Sequence, residues 1–342
     1  MSKKMGGQTY ALSLPPTVTG YGGVGGKKES EGPLGRYFDY VSKDDTFGET
    51  TWEKAESAMQ KQALTTALNR AGRTPADLDY LLAGDLLNQC IGSAFAARSF
   101  AIPFLGLYGA CSTMGESLAL ASLLLDGGYG HMAGAVTSSH FCSAERQYRT
   151  PLEYGGQRTP TAQWTATASG AVVLCAGECK GPRVTHVTIG KIIDKGIKDA
   201  NNMGAAMAPA AYDTISAHLK DTGRSPDFYD LIVTGDLGKL GHEIVLDLFR
   251  EDKVTLPNYN DCGLLLFDLK KQDVHCGASG CGCSAAVLTT LLLPGLISGK
   301  WKRILFCPTG ALLSPTSTQQ GESIPGVCHA ISLCAPGCEE VR

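Results

Sequence analysis

Gly72-Arg73-Thr74-Pro75, with Asp79, Leu81 and Gly84-Asp85-Leu86 behind it, returns as Gly223-Arg224-Ser225-Pro226, with Asp230, Ile232 and Gly235-Asp236-Leu237 behind it. Every pair is separated by the same 151 residues. A register kept over so many positions marks an internal duplication rather than a chance match. Each copy carries the same physical content. Leu64, Ala67, Leu68 and Ala71 recur at i, i+3, i+4 and i+7, which predicts a helix with one apolar face. Gly72 can close that helix in the left-handed conformation, and Pro75 opens a new turn. The apolar run 80–83 then reads as a buried strand ending at Gly84-Asp85. In the second copy, 214–220 is the expected helix, Gly223 the stop and Leu231–Thr234 the strand.

A second correspondence lies at an offset of 168. Gly109-Ala110-Cys111 leads to Leu123-Leu124-Leu125 and Gly127, as Gly277-Ala278-Ser279 leads to Leu291-Leu292-Leu293 and Gly295. Each reads as a strand or loop, a sharp turn of small residues, and a helix ended by glycine. The chain is therefore expected to be an α/β protein of two tandem halves around a layered core, residues 1–178 and 179–342, with the boundary in 177–182. Apart from a glycine-rich lead-in at 20–26, no segment is of low complexity.

Composition removes several function classes. Hydrophobic residues make up 43% and charged residues 18% of the 342, enough apolar material for a large compact core. Thirty basic against 33 acidic residues leave a net charge of −3, so no basic excess exists to hold a nucleic acid. A local pocket can still be cationic and take a small anion. Thirteen cysteines, an odd number partly set in apolar runs such as Leu174-Cys175-Ala176 and Phe306-Cys307-Pro308, point to buried free thiols in a reducing compartment. Cys281 with Cys283, and Cys334 with Cys338, lack the paired spacing of a zinc site, so no metal centre is expected. The start of the chain has two lysines but no apolar stretch behind them, unlike a signal peptide. The apolar segments 118–125 and 287–297 fall short of the ~20 residues that span a bilayer. A soluble intracellular protein is expected.

Cys111 stands where the apolar run from Pro103 meets the second predicted helix, with Gly109 and Ala110 making the turn tight. A thiol there would feel the helix dipole and unpaired amides, both of which favour thiolate. The same helix end could instead hold a carboxylate or phosphate without chemistry. One more buried thiol among thirteen is the plain alternative.

With duplicated halves and an elbow cysteine, the chain resembles the thiolase superfamily, which includes the thiolases and the ketoacyl-synthase type of condensing enzyme. In that superfamily the first-half helix end carries the nucleophilic cysteine. The second half supplies a histidine and an asparagine, or two histidines. Within it, the chain resembles the stage V sporulation protein AD family of spore-forming bacteria, from about residue 31 to residue 331. The first-half segments that carry the resemblance are Glu31-Gly32-Pro33-Leu34-Gly35, Leu81-Leu82-Ala83-Gly84-Asp85-Leu86-Leu87-Asn88-Gln89 and Gly109-Ala110-Cys111-Ser112-Thr113. Thr137-Ser138-Ser139-His140, Ala144-Glu145-Arg146-Gln147-Tyr148-Arg149 and Glu153-Tyr154-Gly155-Gly156-Gln157 follow. The second half adds Met203-Gly204-Ala205-Ala206-Met207-Ala208-Pro209-Ala210-Ala211, Thr234-Gly235-Asp236-Leu237, Asp261-Cys262-Gly263-Leu264-Leu265 and Thr309-Gly310-Ala311-Leu312-Leu313-Ser314-Pro315-Thr316. The resemblance implies a five-layered αβαβα core and a homodimer. It also implies binding of pyridine-2,6-dicarboxylic (dipicolinic) acid, or of its calcium chelate, with no other cofactor. The protein would then be a peripheral subunit working with the membrane-embedded subunits of the stage V sporulation A uptake complex, at the inner membrane of the forespore.

The residues themselves separate catalysis from binding. A condensing enzyme needs a histidine directly after the strand Leu231–Thr234, yet Gly235-Asp236 stands there and the nearest histidine is His242. It also needs an asparagine on the loop 279–282, and none occurs after Asn260. The thiolase pattern fares better: His275-Cys276-Gly277-Ala278-Ser279-Gly280 approximates its histidine and turn, without the proline and one residue short. Cys307 could stand for its second cysteine. Acyl transfer by Cys111, His275 and Cys307 is the enzyme alternative; a misplacement of ~1 Å would already weaken it.

A flat aromatic dianion asks instead for carboxylate donors and a ring slot. Cys111, Ser112 and Thr113 could supply amides, Arg146 and Arg149 a bidentate grip, and Tyr148 and Tyr154 a ring face. His140 is the histidine expected nearest Cys111, because the strand containing 133–137 is expected beside the cysteine's strand. It could equally satisfy buried polar groups, and the two arginines could equally be solvated or at a dimer contact. Asp85 and Asp236 could hold the ligand's calcium or simply fix the strand-end turns. A structural subunit with an empty pocket is the third class.

Overall fold

The computed structural model describes residues 3–148, 158–177 and 179–338. Ten strands make two mixed sheets with one connectivity. The first half supplies β1 (Thr17–Gly25), β2 (Tyr80–Gly84), β3 (Phe104–Gly106), β4 (Met132–Ser139) and β5 (Ala168–Cys175). The second supplies β6 (Arg183–Thr188), β7 (Leu231–Thr234), β8 (Tyr259–Asp261), β9 (Arg303–Cys307) and β10 (Ala330–Cys334). The spatial orders are β3-β2-β4-β5-β1 and β8-β7-β9-β10-β6. In each sheet the first three neighbours run parallel and the last two joins are antiparallel. The sheets meet through one residue pair, Arg183 with Thr17.

Helices fill three further layers, giving the expected αβαβα stack. Helix α1 (Trp52–Ala71) packs outside the first sheet, its buried face formed by Ala55, Met59, Ala63, Leu64, Ala67 and Leu68. It starts at Thr51, whose Oγ1 accepts from the Lys54 amide, and stops at Gly72, left-handed at φ 64°. Helices α2 (Thr113–Asp126) and, from the second half, Cys281–Val287 lie between the sheets. Their Leu118, Leu125, Ala285 and Val287 share one cluster with Leu174, Phe306 and Leu333 of the strands. Phe306 is fully buried there, and its truncation to alanine would cost about 3–5 kcal/mol. A short helix, α3 (Phe141–Tyr148), follows β4. Outside the second sheet, α4 (Met203–Thr222) packs with α5 (Gly238–Glu251) through Met207, Ile215, Val245 and Phe249. Helix α4 stops at Gly223, φ 65°, as its counterpart does at Gly72. The helix that begins at Cys281 is α6.

The repeated aspartates do the same local work. Asp79 accepts the amides of His131 and Met132, and Asp230 those of Lys302 and Arg303, each tying the turn before one strand to the start of its parallel neighbour.

Four expectations need correction. The glycine-rich stretch 20–26 is not a lead-in but most of β1. A Cβ at Gly20 or Gly22 would stand 2.1 or 2.4 Å from the carbonyl of Ala67 or Ala63, so bare backbone is what lets α1 lie so close. The second-half inner helix does not end at Gly295. It passes through a π-helical turn, Leu288–Leu292, and runs to Ile297, while Gly295 makes room for the Trp301 ring. The strand beside β4 is not the cysteine's strand, because β2 lies between β4 and β3. Finally, not every cysteine is free: Cys175, at the end of β5, is bonded to Cys179 across the turn at Gly177, and the other eleven are free thiols.

A hairpin at the start of the described chain, Lys3–Met5 with Thr9–Ala11, adds to the second sheet rather than the first. Thr9 pairs with Thr188 and Ala11 with His186 of β6, and the Asp221 carboxylate accepts the amides of Gly7, Gln8 and Thr9. Among the described residues no helix is long and apolar enough to cross a membrane.

Candidate functional site

The parallel strands β2, β4, β7 and β9 deliver their C-terminal ends to one face of the stack, and the elbow lies there. Ala110 takes a positive φ of 50°, a one-residue kink that turns the chain from β3 into a single 3-10 turn, Ala110–Ser112, before α2 begins. The sulfur of Cys111 ends at the wall of a cavity of about 240 Å³. Leu86, Ala110, Ala144, Glu145, Tyr148 and Thr165 line it from the first half of the chain. Ala200, Asn201, Met203, Ser279, Ala311 and Leu313 line it from the second. Tyr148 forms a fixed aromatic wall, its hydroxyl 2.8 Å from the Leu86 carbonyl and 2.6 Å from the Tyr108 hydroxyl. Apolar walls with few polar groups suit a small organic ligand. Among the described lining residues there is no arginine, lysine or histidine.

Behind the sulfur runs a buried polar chain. Cys111 Sγ lies 3.9 Å from Ser279 Oγ, and Ser279 donates to Asp236 Oδ2 at 3.0 Å. The same carboxylate accepts the Gly280 amide at 2.9 Å and the Thr309 hydroxyl at 2.9 Å. Asp236 is fully buried, and that burial lifts its pKa to about 7 against the pull of its donors. Burial first, then the charge of Asp236, pushes the Cys111 thiol well above its ordinary value. The expectation that the helix end favours thiolate is thereby corrected: desolvation beside a carboxyl outweighs a helix terminus, whose effect is about 0.3–1 kcal/mol in exposed settings.

The remaining candidates separate. Ser112 and Thr113 turn their hydroxyls back onto the elbow, to the carbonyls of Gly109 and Ala110. His140 is fully buried and its Nε2 meets the Asp45 carbonyl at 2.6 Å, while its Nδ1 accepts the Cys142 amide. Burial lowers its pKa, and it does not line the cavity. Arg146 points elsewhere: it pairs with Glu53 beside the Trp52 ring and lines a separate surface groove. Arg149 and Tyr154 lie outside the described residues. Asp85 accepts the amides of Leu87 and Ser93 and the Ser93 hydroxyl, which is the turn-fixing reading of its strand end.

His275, from the enzyme alternative, bonds through Nδ1 to the Thr159 carbonyl at 2.6 Å and through Nε2 to Asp273 at 3.2 Å. Cys307 is fully buried, with its sulfur toward the Leu305 carbonyl. Neither lines the cavity. His242 stacks on Tyr259.

Sequence reasoning missed Ser279 as a partner of Cys111, although the offset of 168 already made the two equivalent. Leu86, Glu145, Met203 and Leu313 fall in segments that carried the resemblance but were not singled out as pocket residues, and Asn201 lay outside them all, since nothing local reports which side chains line a cavity.

The sequence profile of the family described as stage V sporulation protein AD matches residues 6–334. Stage V sporulation protein AD of Bacillus subtilis (strain 168) is 46% identical over 331 residues, covering 96% of this chain and 97% of that one. Among solved structures, a single-residue variant of OleA from Xanthomonas campestris superposes with a TM-score of 0.62 at 14% identity, over 95% of this chain and 98% of that one. The tetronic acid condensing enzyme AbyA1 gives 0.61 at 17%, over 93% and 100%. The 3-oxoacyl-[acyl-carrier-protein] synthase III of Aquifex aeolicus VF5 gives 0.57 at 13%, over 93% and 99%. At such identities the structural likeness speaks for the shared layered fold alone.

Proposed function

This chain belongs to the stage V sporulation protein AD family, and on that premise we propose that it binds dipicolinic acid, or its calcium chelate, without chemistry. The observation that carries the reading is the partner of Cys111. The sulfur that borders the cavity faces Ser279 and Asp236, with no described histidine lining the cavity to act as its base. A cavity of about 240 Å³ with the fixed Tyr148 ring on one wall suits a flat single-ring ligand. Its described lining carries the Glu145 carboxylate and the Asn201 amide and no cationic side chain. The Glu145 carboxylate suits a ligand that brings a divalent cation, and the Arg149 guanidinium proposed below suits the bare dianion. Among the described residues no cluster of His, Cys, Asp or Glu could hold a metal by itself, so any calcium would enter with the ligand.

Arg149, next in the chain after Tyr148, and Tyr154 are proposed as further ligand contacts. The protein would act as a peripheral subunit beside the membrane-embedded subunits of the stage V sporulation A uptake complex, on the forespore inner membrane. We propose a homodimer joined along β3, which pairs only with β2 among the described residues and so has a free edge, and whose Phe104 and Leu105 are exposed, as are Ile91, Phe95 and Tyr108.

Isothermal titration with dipicolinic acid, with and without calcium, tests the reading, with phthalic acid and acetyl-CoA as comparison ligands. Saturable binding of dipicolinate, with or without calcium, that survives Cys111→Ser is expected. Absence of that signal, with acetyl-CoA bound and a mass gain on Cys111, would establish acyl transfer instead.

A further inference from the structure

Cys111 has the position of a nucleophile, at the start of a helix and the wall of a cavity, and the groups around its sulfur decide whether it can act as one. The buried Asp236 carboxylate takes the Ser279 hydroxyl proton at 3.0 Å. While Asp236 is ionised and accepts that hydrogen bond, Ser279 meets Cys111 at 3.9 Å with its oxygen lone pairs. A thiol can donate into that contact; a thiolate would face those lone pairs, with the carboxylate behind them. We infer that Asp236, facing Cys111 directly as well as through Ser279, holds the thiol protonated and so bars it from nucleophilic attack. Asp236 is thus a positioning residue in the place where a condensing enzyme of the resembled superfamily keeps a histidine. This deepens the binding reading above, explaining why an elbow cysteine can border a ligand pocket without reacting with what enters.

The surroundings agree from every side. From α6, Cys281 gives its proton to the Ser138 carbonyl and Cys283 to the Gly235 carbonyl, so neither supplies charge of the opposite sign. Asp261, at the end of β8, adds a second buried carboxylate, its oxygens bound by the amides of Leu237, Gly238 and Gly263 and the Thr234 hydroxyl. From α3 come Glu145 and Tyr148, and from the β3 side Tyr108. All are neutral or acidic, and no described cation lines the cavity. The Thr309 hydroxyl and the Gly280 amide favour the charged form of Asp236 against its burial, so the device sets as the pH rises through about 7.

The test is the rate at which iodoacetamide alkylates Cys111, followed by peptide mass mapping on native protein between pH 6 and pH 10. Wild-type Cys111 is expected to react far more slowly than a free cysteine peptide throughout the neutral range. Asp236→Asn removes the charge at constant shape and should speed alkylation about tenfold at pH 8, moving the rise of the pH–rate curve down by about one unit. Thr309→Val, a milder change, removes a donor that keeps Asp236 ionised and should shift the curve the same way by less. A wild-type Cys111 that reacts as fast as the peptide overturns the inference without any variant. So does an Asp236→Asn protein, folded by circular dichroism, whose curve superposes on wild type. Slow wild-type alkylation released by Asp236→Asn supports it whether or not the same sample binds dipicolinate, so the two readings fail separately.

Discussion

Cys111 and Ser279 hold the same place in the two repeats, 168 residues apart, and meet face to face with Sγ and Oγ 3.9 Å from each other. Cys111→Ser therefore makes the pair symmetric and keeps a donor toward Ser279. Its melting temperature should stay within about 3 °C of wild type, a change of less than about 1 kcal/mol. Cys111→Asp sets a second carboxylate against Asp236 in a buried site and should cost about 3 kcal/mol or more by thermal denaturation. Equal stability of the two variants would mean that the site is wetter than its burial indicates.

Gly310 backs onto the elbow from the second half: a Cβ there would stand 2.3 Å from the Gly109 carbonyl oxygen and 3.3 Å from the Cys111 amide. Gly310→Ala should destabilise by about 1–3 kcal/mol in urea denaturation, because backbone rather than a flexible side chain must yield. Ligand affinity should fall with it, since the displaced elbow is the cavity wall.

Glu29 gives stability a pH dependence. It is buried with one oxygen on the Thr167 amide and the other without a partner, and burial lifts its pKa to about 7. Protonated in the folded state, it ionises near 4.5 once unfolded, so the fold takes up a proton in between. Its stabilising effect is complete below about pH 4.5 and is lost as the pH rises to about 7, worth at most about 3 kcal/mol. Thermal melts across that window should show wild type losing stability and Glu29→Gln losing less; parallel curves would remove Glu29 as the source.

Leu105, exposed on the edge strand β3, reports on association. Leu105→Glu should turn a dimer into a monomer in light scattering while leaving the circular dichroism spectrum unchanged, since a charge on a free edge opposes strand-to-strand pairing. A dimer that survives the change would place the contact elsewhere.

The layered fold was legible because duplication writes it twice. The helix stop at Gly72 and the strand after it each had a second witness at Gly223 and in Leu231–Thr234, and all fell where expected. Elements without a simple period misled. The glycines of β1 look like a flexible lead-in until α1 is seen lying on them, and Gly295 looks like a helix stop until Trp301 is seen to fill its place. At the site, Cys111 was legible from its turn. Arg146 and His140 were not, because each found a nearer partner in Glu53 or the Asp45 carbonyl that only folding brings close. Burial reversed the direction of the Cys111 shift, and no local pattern reports a carboxyl arriving from the other half of the chain.

The hairpin that leads the described chain has its partners far downstream. Thr9 docks against Thr188 and against Asp221, the latter 212 residues later. At a ribosome adding roughly 5–20 residues per second, those first strands wait on the order of 10–40 s for the surface they complete. The first sheet can assemble in that interval without them, as β1 through β5 all precede β6. Vectorial synthesis thus leaves the first strands waiting on residues made long after them, and for those seconds an unpaired two-stranded edge is what the nascent chain shows to chaperones.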